Sequence, residues 1–333
     1  MNILDKTLSE LGEFAYIRNH GNLGDMLIAM GTEQHFARKG YKHHIVHAYD
    51  TEMQEPILVH GGGARFTADW CDVDICIKLL CNSYVKKCVV LPSSFYGVDE
   101  LMKHFDSRHI LFCRDAKSYE YCKGKCPSSQ VFLTNDMAMQ LRLDELQPVI
   151  SNIYPDSKEE AELQNAYNSY LRRWLKRYMN RATVTSKSGT EKKKIAFLLR
   201  NDREKKTKLH SPLTYDISAS WHTAQKNRYE NNLLLAFAAT LRQADIIVSD
   251  RLHACLMAYH AGCEVFMLDN TYGKLKGVYE LTLKKCERVH LIQEDALPQD
   301  LLKAWNKLNN PARILYYKAF DKAKKIIKHI LNK

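Results

Sequence analysis

Short runs of apolar and β-branched residues recur along the chain, and helical stretches separate several of them. In the first part of the sequence these runs are Phe14–Arg18, His44–Ala48, Pro56–His60, Cys88–Leu91, Ile110–Cys113 and Val131–Leu133. They are apolar without alternation, which is typical of parallel strands that are buried on both faces of a sheet. The pattern predicts an α/β fold built on a doubly wound parallel sheet.

The same alternation begins again after residue 193. It predicts strands over Lys194–Leu199, Asp245–Ser249, Glu264–Leu268 and Val289–Ile292, and helices over Tyr229–Arg242, Leu252–Ala261 and Lys274–Leu283. Two successive Rossmann-like halves predict two domains that face a central cleft, with the ligand at the carboxyl ends of the strands.

These patterns divide the sequence into four parts. We expect an amino-terminal Rossmann-like domain, a helical and loop linker, a carboxyl-terminal Rossmann-like domain and a basic amphipathic helix, over residues 1–150, 151–193, 194–308 and 309–333. In the linker, Asp156–Arg181 predicts one polar helix, acidic at its start and basic at its end. Thr183–Lys194 is polar and turn-rich, which predicts a loop.

Composition excludes several classes of protein. A hydrophobic content of 45% and a charged content of 26% exclude a mostly disordered chain or a collagen-like fibre. No stretch approaches the ~18–20 uninterrupted apolar residues of a membrane-spanning helix. The sequence MNILDKTLSELGEF has acids where an export signal has a basic start, so we expect a cytoplasmic location, with the inner face of the membrane left open. The ten cysteines contain no C-x-x-C pair, and we expect reduced thiols and no metal site.

The formal net charge is +11, which favours anionic partners. Between Lys303 and Lys333, Asp321 is the only acid. A helix over Asn309–Leu331 would have Tyr316, Phe320, Ala323, Ile327 and Ile330 on one face and Lys318, Lys322, Lys325 and His329 on another. Either the apolar face packs on the domains, or the helix contacts a membrane surface or an acidic lipid carrier. Aromatic residues do not interleave with these lysines as in single-strand binders, so we expect no nucleic acid partner.

Two segments that follow strands of the first domain contain glycines suited to a ligand site. Asn19–Asp25 (NHGNLGD) leads into a helix whose start attracts anions, and Asp25 is either part of the helix cap or a carboxylate aimed into the cleft. Three glycines after a buried strand favour a close backbone approach to a ligand over a simple turn. They follow His60 and are Gly61, Gly62 and Gly63.

Charged residues end two further strands at the same predicted sheet edge. Arg114 and Asp115 either form a structural pair that braces the cleft wall or take part in the site. Asp136 is either an acid facing the cleft or a structural residue.

The second domain has the more distinctive segments. Arg200 ends its first strand, and a guanidinium there can bind a carboxylate or phosphate through two parallel hydrogen bonds. In Ser249–Ala254 (SDRLHA), Ser249 or Asp250 can cap the following helix, while Arg251 and His253 fall in its first turn. Backbone donors and positive charge there favour an anion, and a histidine can transfer a proton near neutral pH. Asp269–Lys274 (DNTYGK) is either a turn or a source of a third cation, Lys274.

Taken together, these segments resemble the polysaccharide pyruvyl transferase family. The matching motifs are GNLGD (Gly21–Asp25), HGGG (His60–Gly63), CRD (Cys113–Asp115), TNDMA (Thr134–Ala138), LLR (Leu198–Arg200), SDRLHA (Ser249–Ala254) and DNTYGK (Asp269–Lys274). They occur in the family's order over about residues 14–282, and the combination of GNxGD with SDRLH is specific. The resemblance implies a GT-B-like fold. It also implies transfer of the enolpyruvyl group of phosphoenolpyruvate to two hydroxyls of a sugar, with a cyclic pyruvate ketal and phosphate as products.

The resemblance also implies roles for individual residues. Arg200 and Arg251 would bind the donor's phosphate and carboxylate, with Leu252 and Lys274 beside them and His253 as acid, base or phosphate ligand. Facing the acceptor would be the catalytic Asp25 together with Asn22, Gly24, His60, Gly61, Gly62, Gly63, Arg114 and Asp136. The family often has four glycines where this chain has His60 first, which leaves the role of His60 open. Phosphoenolpyruvate is a co-substrate, so we expect no other cofactor, and the acceptor is a sugar of a polysaccharide or lipid-linked saccharide precursor.

Two other functions remain open at this point. A nucleotide-sugar glycosyltransferase of GT-B fold would also need an anion site in the second domain, although no base-and-ribose clamp is evident. A basic protein that binds nucleic acid or acidic glycan without catalysis would leave the cleft motifs unexplained.

Overall fold

The computed structural model describes residues 1–18, 21–146, 176–188, 190–202, 205, 207–214, 216–217, 230–269 and 273–331. They form two compact units. The first unit comprises Met1–Glu145 together with Lys276–Cys286, and the other described residues belong to the second. The predicted helix over Asp156–Arg181 lies outside the described residues up to residue 175, and residues 176–182 are helical. The domain limits stated above stay predictions.

The first unit is built on a six-stranded sheet in which all neighbouring strands are parallel. The strands are β1 (Phe14–Ile17), β2 (His43–Val46), β3 (Ile57–His60), β4 (Lys87–Ser93), β5 (His109–Cys113) and β6 (Gln130–Leu133). Their order across the sheet is β2-β1-β3-β4-β5-β6. Each of the six predicted strands is confirmed. Burial on both faces, which the continuous apolar runs predict, holds for β1, β3, β4 and β5, whereas the edge strands β2 and β6 are partly exposed.

Helices cover both faces of this sheet. They are α1 (Ile3–Ser9), α2 (Leu23–Lys39), α3 (Val73–Leu80), α4 (Asp99–Met102) and α5 (Ala116–Lys125). On one face Phe36 of α2 packs edge-on against Phe14 and Tyr16 of β1, with ring centroids 5.3 Å apart in both pairs. On the other face Ala15 and Ile17 belong to a separate apolar cluster. The alternation of side chains along β1 thus serves two core layers.

The second unit has a mixed five-stranded sheet of order β11-β10-β9-β8-β7. Its strands are β7 (Thr183–Ser188), β8 (Glu191–Leu198), β9 (Ile246–Ser249), β10 (Glu264–Leu268) and β11 (Val289–Ile292). Strands β8 to β11 are parallel, whereas β7 pairs antiparallel to β8. The four strands predicted for this part of the chain are confirmed.

The loop predicted over Thr183–Lys194 is wrong, because this stretch forms β7 and the first half of β8. Val184 and Ile195 are buried in the core of the second unit and face each other across the hairpin. The rest of β7 is polar, which an edge strand tolerates because one of its sides has no neighbouring strand. A single buried valine among hydroxyl and lysine side chains was too weak a signal for a strand.

The helices that follow the strands of the second sheet are α6 (Glu230–Leu241), α7 (Leu252–His260), α8 (Lys274–Val278), α9 (Gln299–Leu308) and α10 (Pro311–Leu331). All but α9 match predicted helices. From Lys276 onward, α8 and the π-helical turn Tyr279–Leu283 belong to the first unit. There the Thr282 hydroxyl donates to the side-chain oxygen of Asn135 at 3.1 Å.

Two further sequence expectations concern thiols and membranes. All ten cysteines are free thiols, and seven of them are buried, as expected for small apolar side chains. No helix among the described residues is long and apolar enough to cross a membrane.

Candidate active site

The predicted site residues follow the carboxyl ends of parallel strands. In the first unit they come after β1, β3, β5 and β6, and in the second after β8, β9 and β10. Because neighbouring parallel strands end at the same edge of a sheet, each unit gathers its motifs at one edge, where α/β proteins bind ligands.

In the GNLGD segment, Asn22 and Asp25 cap α2. The side-chain oxygen of Asn22 accepts a hydrogen bond from the Gly24 N–H at 2.7 Å, and Oδ2 of Asp25 accepts one from the Asn22 N–H at 3.0 Å. A Cβ on residue 21 would lie 2.1 Å from Oδ2 of Asp25, so Gly21 makes room for this carboxylate. Asp25 thus acts as a half-buried cap in this structure. Asn19 and His20 lie outside the described residues.

His60 is buried at the end of β3. Its Nδ1–H donates a hydrogen bond to the carbonyl oxygen of Gly61 at 2.7 Å, and its ring packs on Phe66. Burial, together with the charge of Arg65, lowers the pKa of His60 to about 4. The imidazole is consequently neutral at pH 7.

The glycines after His60 approach the chain's own backbone. The Gly63 N–H donates to the carbonyl oxygen of Pro92 at 3.0 Å, and a Cβ on Gly62 would lie 2.5 Å from that same oxygen. Gly61 donates to the carbonyl oxygen of Ile17 at 2.8 Å. Gly62 therefore lies against the backbone of β4. The approach of these glycines to a ligand stays a prediction.

Arg114 pairs with Asp136 and not with Asp115, its predicted partner. Nη1 of Arg114 lies 2.7 Å from Oδ2 of Asp136, and both side chains are fully buried. Nε of Arg114 donates to the hydroxyl of Ser94 at 3.0 Å. Asp115 caps α5 through the Ser118 N–H at 2.8 Å and accepts from the Ser94 hydroxyl at 2.9 Å. Asp136 is therefore a buried ion-pair partner that joins β6 to β5.

In the second unit, Arg200 and Arg251 meet around one carboxylate. Arg200 donates to both oxygens of Asp202, at 2.9 and 3.2 Å. Arg251 donates to Asp202 at 2.5 Å and to Oδ1 of Asp216 at 2.8 Å. Asp216 is fully buried, whereas Asp202 keeps 24% of its side chain exposed. The guanidinium groups of Arg200 and Arg251 thus converge after the ends of β8 and β9, and Asp202 and Asp216 hold them in place.

Sequence reasoning did not identify Asp202 or Asp216. Asp202 lies two residues after Arg200, close enough for a strand-end arginine to reach, and this spacing was an available signal. Asp216 precedes Arg251 by 35 residues, and no local pattern connects them.

Asp250 is a third acid in this cluster. Its Oδ1 accepts a hydrogen bond from the Arg200 N–H at 2.7 Å, while its buried Oδ2 has no hydrogen-bond partner among the described residues. Burial raises the pKa of Asp250 to about 6, against the lowering effect of Arg200 and Arg251. A carboxyl group with this pKa can exchange a proton close to neutral pH.

Helix α7 begins directly at this cluster. Arg251 is its N-cap residue and makes no side-chain capping bond, so the predicted capping by Ser249 or Asp250 is wrong. Instead the Ser249 hydroxyl accepts a hydrogen bond from the Arg251 N–H at 3.1 Å, within the turn before the helix. Leu252 is buried and His253 half-buried in the first turn. Lys274 begins α8, but its side chain and residues 270–272 lie outside the described part of the chain.

A model of the polysaccharide pyruvyl transferase family matches residues 22–272, most of the chain. This chain belongs to that family. The resemblance seen in the motifs is thereby confirmed, and the protein is a transferase of the pyruvyl transferase type that acts in polysaccharide biosynthesis.

One solved structure similar to this pyruvyl transferase is a functionally uncharacterised protein from Klebsiella pneumoniae subsp. pneumoniae NTUH-K2044. The sequences are 21% identical, the TM-score is 0.62, and the match covers 87% of this chain and 96% of that one. At this identity the likeness concerns the fold alone. A search of curated proteins found no significant match.

The pyruvyl transferase also has an open groove of about 580 Å³ on its second unit. Its lining includes Arg242, Asp245, Glu264 and Arg288, at the amino ends of β9 and β10. It thus lies at the opposite end of these strands from Arg251 and contains none of the predicted site residues. Among the described residues, no cluster of three or more His, Cys, Asp or Glu side chains is arranged to hold a metal ion.

Proposed function

We propose that this protein transfers the enolpyruvyl group of phosphoenolpyruvate to two hydroxyl groups of a sugar, forming a cyclic pyruvate ketal and releasing phosphate. The observation that carries the proposal is the convergence of Arg200 and Arg251 at the start of α7 in a chain of this family. The acceptor would be a sugar of a polysaccharide or lipid-linked saccharide precursor. The GT-B-like arrangement of the two domains is part of the same proposal and rests on the family.

The donor is a small anion with a phosphate and a carboxylate on neighbouring atoms. Two guanidinium forks suit this pair of groups, because each fork can donate two parallel hydrogen bonds to one of them. The N–H groups of the first turn of α7 add donors for a phosphate, since the N-cap residue Arg251 does not cap them with its side chain. Asp202 and Asp216 would keep the forks oriented before the donor arrives.

The reaction requires a proton donor, a proton acceptor and a clamp for the leaving phosphate. Protonation of the donor's methylene carbon makes the neighbouring carbon electrophilic, and the first sugar hydroxyl adds to it. The second hydroxyl then displaces phosphate and closes the ketal. We assign the proton transfer at the donor to His253 and that at the acceptor to Asp25, which must then exchange its capping bond with Asn22 for the sugar hydroxyl. This route needs no redox cofactor and no metal.

Thermal stabilisation by phosphoenolpyruvate tests the donor assignment. At about 100 times its dissociation constant, the donor should add about 2.7 kcal/mol to the free energy of unfolding and raise the melting temperature visibly. Arg251→Ala should abolish this increase. Arg251→Lys, which keeps a positive charge beside Asp216, serves as a second variant with less risk to the fold.

Arg242→Ala is the matched control, because it removes an arginine at the opposite end of the same sheet. It should leave the response to phosphoenolpyruvate intact. If a nucleotide sugar raised the melting temperature and phosphoenolpyruvate did not, phosphoenolpyruvate would not be the donor. The result would instead support a nucleotide-sugar glycosyltransferase.

Turnover tests the assignment of His253. His253→Ala should lower phosphate release by about 10²–10⁴-fold, the usual contribution of a general acid or base. His260→Ala, at the other end of α7, should retain activity. Near-normal turnover of the His253 variant with a retained fold would remove this residue from the mechanism.

A further inference from the structure

Helix α10 exposes an apolar face. Leu315 and Tyr316 are 68% and 63% exposed, and Phe320 is 40% exposed. At 100° per residue these side chains share one stripe with the exposed residues Ala312, Ala319 and Ala323. The helix continues to Leu331, and Ile326, Ile327 and Ile330 recur in its sequence at the spacing of the same stripe.

The opposite face of α10 attaches the helix to the second unit. Ile314 and Tyr317 pack against the apolar core that contains Val184 and Phe197. Nη2 of Arg313 donates to the carbonyl oxygen of Thr183 at 2.8 Å. The rotation of the helix is therefore set by these contacts. The sequence left open whether the apolar face with Tyr316, Phe320 and Ala323 packs on the domains. That alternative is wrong, because all three side chains are exposed.

Positive charge borders the exposed stripe. Lys318 and Lys322 are exposed one turn apart along its edge. The single acid of this helix, Asp321, forms ion pairs with Arg177 and with Arg181, the latter at 2.9 Å. Asp321 therefore does not offset the lysines, and the exposed face is both apolar and basic.

We propose that this face of α10, composed of Leu315, Tyr316, Phe320, Lys318 and Lys322, docks on a membrane that contains anionic phospholipids. Apolar side chains of an amphipathic helix enter the boundary between headgroups and acyl chains, and flanking lysines bind the anionic headgroups. A second copy of the chain is a poorer occupant, because pairing two such faces would bring two rows of lysines together. The inference does not depend on the proposed pyruvyl transfer.

Vesicle sedimentation of the full chain tests this surface. The protein should sediment with vesicles of phosphatidylcholine and phosphatidylglycerol and remain in solution with phosphatidylcholine alone. Binding should weaken as salt screens the lysines. Lys318→Glu with Lys322→Glu should lower the partition coefficient by more than about tenfold, since each lysine near the surface contributes substantially.

A second pair of variants separates apolar contact from charge. Leu315→Ser with Tyr316→Ser leaves the charge unchanged and should lower partitioning by about tenfold through the loss of inserted apolar area. Both residues are largely exposed, so the fold should be retained.

Matched controls come from the first unit. Lys78→Glu with Lys86→Glu makes the same change in net charge, and Ile45→Ser with Tyr84→Ser removes two side chains of similar exposure. Both controls should bind vesicles like the unmodified protein. Equal losses in controls and α10 variants, or no loss in the α10 variants, would overturn the proposal. So would concentration-dependent dimers that depend on Leu315 and Tyr316 and bind no vesicles.

Discussion

At the scale of single residues, three acids of the second unit contact the arginines of the proposed donor site. Asp202 and Asp216 compensate the charges of Arg200 and Arg251, and a buried arginine needs such compensation. Asp250 differs from them, because it has only a backbone N–H as its described partner. Its raised pKa makes its contribution to stability depend on pH.

Asp250→Asn should remove a pH dependence of folding stability. The pKa of this carboxyl rises from 3.8 to about 6 on folding, so the folded state holds the proton more tightly. Its stabilising contribution is therefore fully present below about pH 4 and is lost as the pH rises through 6. Relative to the variant, the unmodified protein should lose on the order of 1–1.5 kcal/mol of unfolding free energy between pH 5 and pH 8.

Urea unfolding at several pH values measures this difference. Asp74→Asn, the same substitution at an exposed acid of α3, should run parallel to the unmodified protein. If the curves for Asp250→Asn and the unmodified protein were parallel as well, the carboxyl would not titrate in this range.

At the scale of elements, α2 depends on a close backbone contact with the turn after β6. A Cβ on Gly31 would lie 2.3 Å from the carbonyl oxygen of Met137, in the 3₁₀ turn Met137–Gln140. At Gly124 in α5, no described atom outside the neighbouring helix backbone lies within 4 Å of the corresponding position. Two helical glycines thus have opposite environments.

The same substitution should therefore have opposite effects on stability. Gly31→Ala should lower the free energy of unfolding by about 1–3 kcal/mol, because the methyl group forces α2 away from residue 137. Gly124→Ala should raise it by about 0.5–1 kcal/mol, the usual gain in helix propensity. Chemical denaturation of both variants compares the two. Equal signs would mean that α2 does not contact this turn as described.

Whole elements were predictable where their pattern is local and strong. The ten predicted strands have dense apolar runs, and all ten are observed. The edge strand β7 was missed because its pattern is weak, with Val184 as its only apolar residue. Pairing with β8, rather than its own composition, makes it a strand.

At the scale of the whole molecule, the chain returns to its first unit after building most of the second sheet. Gly277, in the returning segment Lys276–Cys286, lies against Asp115, the cap of α5. A Cβ there would lie 2.6 Å from Cβ of Asp115. The stability of α5 thus depends on a residue far along the sequence.

Gly277→Ala should loosen α5 without affecting the second sheet. Hydrogen exchange should become faster at the amides of Ala116–Lys125 and stay unchanged in β9 and β10. The reason is that the added methyl displaces Asp115, whose carboxylate accepts from the first turn of α5. Exchange that rises equally in α5 and in β9 and β10 would contradict this account of the returning segment.

The sequence predicted correctly that the motifs follow the ends of strands, but it did not predict which of their side chains pair. Motifs such as SDRLHA can be recognised in the sequence because turns and helix starts need particular residues at fixed spacing. The order of these motifs along the chain indicates the family. Arg114 was assigned to its neighbour Asp115, although its partner is Asp136, which the fold brings alongside on the adjacent strand.

The sequence by itself determined the α/β class, every strand except β7, the motifs at strand ends and the family, because these depend on patterns of residues near one another in the chain. Only the tertiary structure decided that Asp216 binds Arg251, that Gly62 faces Pro92 and that α10 exposes its apolar stripe. Periodicity fixes which residues share a face of a helix or strand. What that face meets depends on segments far away in sequence, and local patterns contain no record of them.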